Sequence, residues 1–178
     1  AVLERWRSLE PDRLLDLQWN NEVDFYSFKD EDYIYIYNYE SILQDTISLN
    51  KLNNSFEGED RLITIPNINW IDSHSFTFKN RNNYYICNTK RGYKSSLLFS
   101  VPSNAQNIEI NSQYNLMAYT IENNLFISKD VNQSFNITNE NNVNIVYGQA
   151  VHRYEFGIYK GTFWSRDGNY LAFYRKDE

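Results

Sequence analysis

Short apolar runs recur along the chain, separated by polar turns rich in Asn. A first group reads Leu17-Gln18-Trp19, Phe25-Tyr26-Ser27-Phe28 and Tyr33-Ile34-Tyr35-Ile36-Tyr37. A second reads Ile68-Asn69-Trp70-Ile71, Phe76-Thr77-Phe78 and Tyr84-Tyr85-Ile86-Cys87. A third reads Ile108-Glu109-Ile110, Leu116-Met117-Ala118-Tyr119-Thr120 and Leu125-Phe126-Ile127. A fourth starts at Thr162-Phe163-Trp164-Ser165, turns at Arg166-Asp167-Gly168-Asn169 and re-enters at Tyr170-Leu171-Ala172-Phe173-Tyr174. Short aromatic and β-branched runs bounded by turns predict strands, and Asp-Gly between two of them predicts a hairpin. Helical periodicity is weak: one helical turn is expected within 5–17, anchored by Leu14, Leu15 and Leu17, and 43–61 reads as an exposed excursion between strands.

The anchors Trp19, Trp70, Ile110 and Trp164 recur at intervals of about 40–54 residues. Multi-stranded units of that period are the mark of propeller blades. The predicted fold class is therefore all-β: a β-propeller with about three blades (near 14–40, 66–90 and 106–130) and part of a fourth (160–178). A sandwich of irregular hairpins is the competing architecture. Rings take at least four blades, so the sequence reads as one part of a larger propeller.

Composition narrows the classes. Of the residues, 17% are Phe, Trp or Tyr, which argues against disorder. Net charge is −6 with no basic block, so no nucleic-acid partner is expected. No apolar run approaches the ~18 residues of a membrane span, and Ala1 to Arg7 lack the apolar core of a signal peptide. Cys87 is the single cysteine, so no internal disulfide is available. The N-x-S/T triplets at Asn53, Asn132 and Asn136 are read as chance matches in an Asn-rich chain.

Candidate chemistry is sparse. None of the six glycines brackets a serine as G-x-S-x-G, so no nucleophile elbow is present and no catalytic residue is assigned in this chain. His74, in Asp72-Ser73-His74-Ser75, reads as an exposed turn residue. Cys87 with His74 and His152 has no zinc spacing. The acidic runs Asp30-Glu31-Asp32 and Glu57 to Asp60 fit no calcium loop. No metal and no cofactor is expected.

One segment carries more information. Val151-His152-Arg153-Tyr154-Glu155-Phe156-Gly157, followed by Gly161-Thr162-Phe163-Trp164-Ser165 and Leu171-Ala172-Phe173-Tyr174-Arg175, resembles the propeller of dipeptidyl peptidase IV-like serine exopeptidases of the prolyl oligopeptidase superfamily. The resemblance implies an eight-bladed propeller followed by a C-terminal α/β-hydrolase domain, absent from this chain, with a Ser-Asp-His triad. It implies removal of dipeptides from peptide N-termini, with Pro or Ala preferred at the second position. It further implies substrate gating by the propeller, a homodimer as one compatible state, and a periplasmic, secreted or cell-surface location.

Glu155 matches the family's glutamate that grips the substrate α-amine. His152, Arg153 and Tyr154 are candidates to support it. The family often shows two adjacent glutamates, and here Tyr154 stands in place of one. Physically, a fixed carboxylate suits an exopeptidase, because charge-assisted bonds to an ammonium are about twice as strong as neutral ones. The plain alternative is a surface acid paired with Arg153 or Lys160. Arg81, in a turn between Phe78 and Tyr84, lies where the family at times draws a carbonyl-binding arginine, and the sequence does not align it. Two other functions remain open: a non-catalytic propeller that binds a partner, and a tripeptidyl or oligopeptide-cleaving relative.

Overall fold

The computed structural model describes residues 13–20, 24–90, 92–151 and 155–178. It is all-β, and its core is three four-stranded antiparallel meanders. Sheet I holds β1 (Leu15–Asn20), β2 (Phe25–Lys29), β3 (Tyr33–Asn38) and β4 (Leu43–Ser48). Sheet II holds β5 (Ile68–Trp70), β6 (Ser75–Asn80), β7 (Asn83–Asn88) and β8 (Lys94–Ser100). Sheet III holds β9 (Gln106–Asn111), β10 (Leu116–Ile121), β11 (Asn124–Ser128) and β12 (Ser134–Asn136). Beyond it, β13 (Ile145–Tyr147) pairs with β16 (Arg175–Asp177), and β14 (Thr162–Trp164) pairs with β15 (Leu171–Phe173). Successive meanders of this kind are consistent with a fragment of a β-propeller.

The expected strands form, and each sheet has one more strand than the apolar runs predict. β4, β8 and β12 are outer strands with patchy burial; β12 is exposed throughout. An edge strand that buries little shows little hydrophobic alternation, so its sequence reads as loop. The excursion expected at 43–61 is in fact β4 followed by a short helix, α1 (Leu49–Asn53). The Ser48 side chain caps α1 by accepting from the Lys51 N–H, and Leu52 is fully buried. The helical turn expected near Leu15 and Leu17 is strand β1; residues 5–12 of that segment lie outside the described residues.

Packing follows alternation along each strand. On β3, Ile34 and Ile36 point into a core shared with Phe76, Phe78 and Cys87 of sheet II. Tyr35 and Tyr37 point the other way, where Trp19, Tyr26, Tyr37, Phe28 and Tyr35 stack in series at centroid distances of 5.3–5.8 Å. Sheets II and III share a second core built on Phe99, Val101, Met117 and Tyr119. The hairpin at Asp167-Gly168 forms as expected: Ser165 N–H donates to the Tyr170 carbonyl, and Gly168 has φ +70°.

The anchors hold equivalent registers. Trp19 faces Tyr26, Trp70 faces Phe76, Ile110 faces Met117 and Trp164 faces Leu171. Equal burial does not follow. Trp70 reaches back to sheet I, edge-on to Phe25, with its Nε1–H donating to Ser27 Oγ at 2.9 Å. Trp19 reaches toward the same side of its own sheet. No sheet stands there among the described residues, and it is 54% exposed.

Candidate functional site

The segment singled out by its sequence joins β13 to β14, and its described residues, 149–151 and 155–161, form a loop that includes one short turn. Its root is tightly held. Tyr147 N–H donates to the Asn123 carbonyl, in the β10–β11 turn, at 3.0 Å. Gly148 N–H donates to the Tyr174 carbonyl, and Tyr174 N–H to the Gly161 carbonyl, each at 2.9 Å. Gly148 has φ +65° and lies against Leu125, Thr120 and Thr162, so a side chain there would be both strained and crowded. Gly161 lies directly against the Gln149 backbone, with no room for a Cβ. Val146 and Ala150 are buried beneath the root.

The far part of the loop is open. Glu155–Gly157 forms a short turn in which Phe156 has φ 54° and Gly157 φ +73°. Phe156 is 89% exposed and Tyr159 is exposed as well. The backbone of Glu155 thus opens a turn in a loop whose two ends are pinned together. His152, Arg153 and Tyr154 lie outside the described residues.

A carboxylate that the sequence reading passed over sits at the loop's root. Glu109, on β9, accepts from Lys160 Nζ at 2.6 Å and from Thr162 Oγ1 at 2.7 Å. Its side chain is 15% exposed, against 61% for Lys160. A signal for it exists in the repeat. Gln18, Asn69 and Glu109 each precede an anchor residue and pair with Ser27, Thr77 and Ala118. Only the third is charged.

Beside Glu109 lies a shallow polar groove of about 330 Å³ where β5, β9 and β14 approach, lined among others by Trp70, Asn111, Gln113 and Trp164. Trp164 Nε1 is buried there without an acceptor among the described residues. Register explains the orphan. Trp70 finds Ser27 in the preceding sheet, and the residue of sheet III at the Ser27 position is Ala118, which has no hydroxyl.

The other sequence candidates are dispersed. Arg81 is exposed, with φ 54°, in the β6–β7 turn. That turn is the sheet II counterpart of the β10–β11 turn under the loop root, where Glu122 has φ 52°. His74 backs onto Asp72, whose Oδ1 accepts its N–H at 2.7 Å. Cys87 is buried and its thiol pKa is pushed up by burial. Among the described residues no group of three or more His, Cys, Asp or Glu is placed to hold a metal ion, and no helix is long and apolar enough to cross a membrane.

Comparison with known proteins decides the family. The model of the dipeptidyl peptidase IV (DPP IV) N-terminal region matches residues 72–178, more than half of the chain. The chain belongs to the DPP IV N-terminal region family. A Bacteroides ovatus crystal structure bearing the name dipeptidyl aminopeptidase IV superposes with a TM-score of 0.78 at 32% identity, over 93% of this chain and 23% of that one. A Paracoccidioides lutzii protein named as a dipeptidyl-aminopeptidase B is 38% identical over 66 residues, 35% of this chain and 7% of its own length. A Pyrenophora teres f. teres protein of the same name is 33% identical over 73 residues, 39% of this chain and 8% of its own. The chain therefore spans under a tenth of these curated relatives and about a quarter of the solved one. Within this DPP IV N-terminal segment, loop 149–161 and the Glu109 contacts both fall inside the matched residues.

Proposed function

We propose that this chain is the propeller segment of a DPP IV-like serine peptidase that removes dipeptides from peptide N-termini, and that Glu155 binds the substrate α-amine. On this reading the segment belongs to an eight-bladed propeller that gates access to a C-terminal α/β-hydrolase domain, in a protein working in the periplasm, in secretions or at the cell surface. The observation that carries the proposal is the match of residues 72–178 to the DPP IV N-terminal region, combined with the place of Glu155 on a loop exposed at its far end and fixed at its root. A carboxylate held so can measure distance from a peptide's charged end. A charged hydrogen bond made only by a free amine discriminates strongly, because a substrate lacking it leaves the partner unpaired.

The test is Glu155→Ala in the full-length enzyme. Truncating one partner of a desolvated charge pair costs about 2–5 kcal/mol, so kcat/KM for peptides with a free α-amine falls by roughly 30- to 4,000-fold. N-acylated peptides carry no charge there and change little. The deciding quantity is the ratio of kcat/KM for free and blocked peptides; an unchanged ratio returns Glu155 to the status of a surface acid. Release of tripeptides by the wild-type enzyme would instead favour the oligopeptidase relative.

A further inference from the structure

We propose that Glu109 is a positioning residue: its carboxylate clamps the root of loop 149–161 and so sets where Glu155 stands. The inference rests on the amine-recognition reading above and adds to it a residue from a different sheet.

The repeat isolates the residue. In sheet I the same position is Gln18, whose Nε2 donates across to the Ile68 carbonyl of sheet II at 2.5 Å. Ile68 stands two residues before Trp70, as Thr162 stands two before Trp164. The Glu109–Thr162 bond joins the same two positions, but with the direction reversed: the carboxylate accepts from the Thr162 hydroxyl where Gln18 donates to a backbone carbonyl. A neutral side chain serves that contact between sheets I and II. Between sheet III and the β14–β15 hairpin a charge has been installed, and its second oxygen takes Lys160, the residue beside the neck glycine Gly161.

The geometry makes this a clamp. Lys160 and Thr162 flank Gly161, so one carboxylate grips the chain on both sides of the neck. Gln149 closes against Gly161 from the opposite limb, and the Tyr174 backbone bridges the two limbs. Glu109 is mostly shielded from water at 15% exposed, where an ion pair with a second hydrogen bond holds better than an exposed one. Without it the neck loses the side-chain contacts at Lys160 and Thr162, and the angle at which the loop leaves the sheet is less constrained. Misplacement of a binding group by about 1 Å is enough to cost up to ~100-fold in rate.

The experiment uses the full-length enzyme and a chromogenic dipeptide amide with a free α-amine. Glu109→Gln keeps the bond to Thr162 and loses the charge. Lys160→Met removes the partner at an exposed position where the fold is insensitive. Each is expected to raise KM about tenfold with kcat within about twofold, and to speed amide exchange across 150–161 while β10 and β11 exchange as before. The charge swap, Glu109→Lys with Lys160→Glu, is expected to restore most of the KM. Unchanged exchange in the loop, or a charge swap that leaves KM as high as the single variants do, would overturn the clamp. Glu155→Ala separates the two readings. If it abolishes free-amine preference while Glu109→Gln neither loosens the loop nor raises KM, only the clamp fails. If it leaves the preference intact while Glu109→Gln loosens the loop, the amine reading fails and Glu109 stays a clamp.

Discussion

Replacing Gly161 by alanine tests whether the loop root is as close as it stands. The added Cβ would fall inside the Gln149 backbone, well short of van der Waals contact. Neither group is the free end of a flexible side chain, so the limbs must separate by on the order of 1 Å. Separation stretches the Tyr174–Gly161 and Gly148–Tyr174 bonds, both 2.9 Å, and tilts Thr162 against Glu109. Overpacking of this kind costs about 1–3 kcal/mol, and a weakened backbone bond about 0.5–1.5 kcal/mol more. Gly→Ala also reduces the freedom of the unfolded chain, which offsets about 0.4–1 kcal/mol. A net loss of about 0.5–4 kcal/mol follows. Gly58, with nothing within 4 Å of its virtual Cβ and no positive φ, is the matched control: there only the unfolded-chain benefit remains. The assay is the denaturant midpoint of the propeller transition in the full-length protein, with kcat/KM on a free-amine dipeptide amide measured in parallel. Gly161→Ala is expected to lower both, and Gly58→Ala neither. Equal midpoints and equal kcat/KM for the two variants would show that the neck is not closed.

Two further outcomes follow from contacts between sheets. Burial works against ionised Asp45, yet the Tyr93 hydroxyl and Lys51 ammonium outweigh it and hold its pKa below the ordinary value, while burial and Asp45 push Tyr93 up. A lowered acid stabilises above its unfolded pKa of about 4 and fails as pH falls through the folded value; a raised phenol stabilises below about 10 and fails as pH rises. Tyr93→Phe should therefore cost stability near neutrality and progressively less toward both extremes, and a pH-independent difference in unfolding midpoints would contradict it. Ala118→Ser offers Trp164 Nε1 the acceptor that Ser27 gives Trp70, with an expected gain of about 0.5–1.5 kcal/mol; a hydroxyl left unpaired there would instead destabilise by about 1–3 kcal/mol, so the sign of the midpoint shift decides.

How much of this could be read in the sequence depended on burial. Strands that carry core residues on one face, such as Tyr33–Asn38 with Ile34 and Ile36 inward, are legible from alternation alone. The outer strands Leu43–Ser48 and Ser134–Asn136 are not, because an edge strand gains its place from backbone pairing that leaves no periodic trace. Burial of the anchor indoles is not legible from the repeat: register fixes which way an indole points, and only a neighbouring sheet buries it, as the exposure of Trp19 shows. Glu155 stands out as a candidate only by resemblance to a family segment. Glu109 does not stand out in that way, since its partners lie more than 50 residues away, at Lys160 and Thr162.

A repeat protein nonetheless offers a way to find such residues. Each sheet solves the same packing problem, so positions shared by successive sheets have a default: a polar neutral residue before the anchor, a small hydroxyl opposite it, as in Gln18 with Ser27 and Asn69 with Thr77. Sheet III departs from both defaults at one cross-strand pair, Glu109 with Ala118. The two departures face the same neighbour. One installs a charge that grips the loop bearing Glu155, and the other leaves the Trp164 indole without an acceptor. Packing alone requires neither, since sheets I and II associate through the ordinary pair. If Ala118→Ser stabilises as expected, that stability is forgone at the junction where the loop is anchored. On the proposed amine-recognition reading, that is where the segment is expected to set local geometry ahead of local satisfaction.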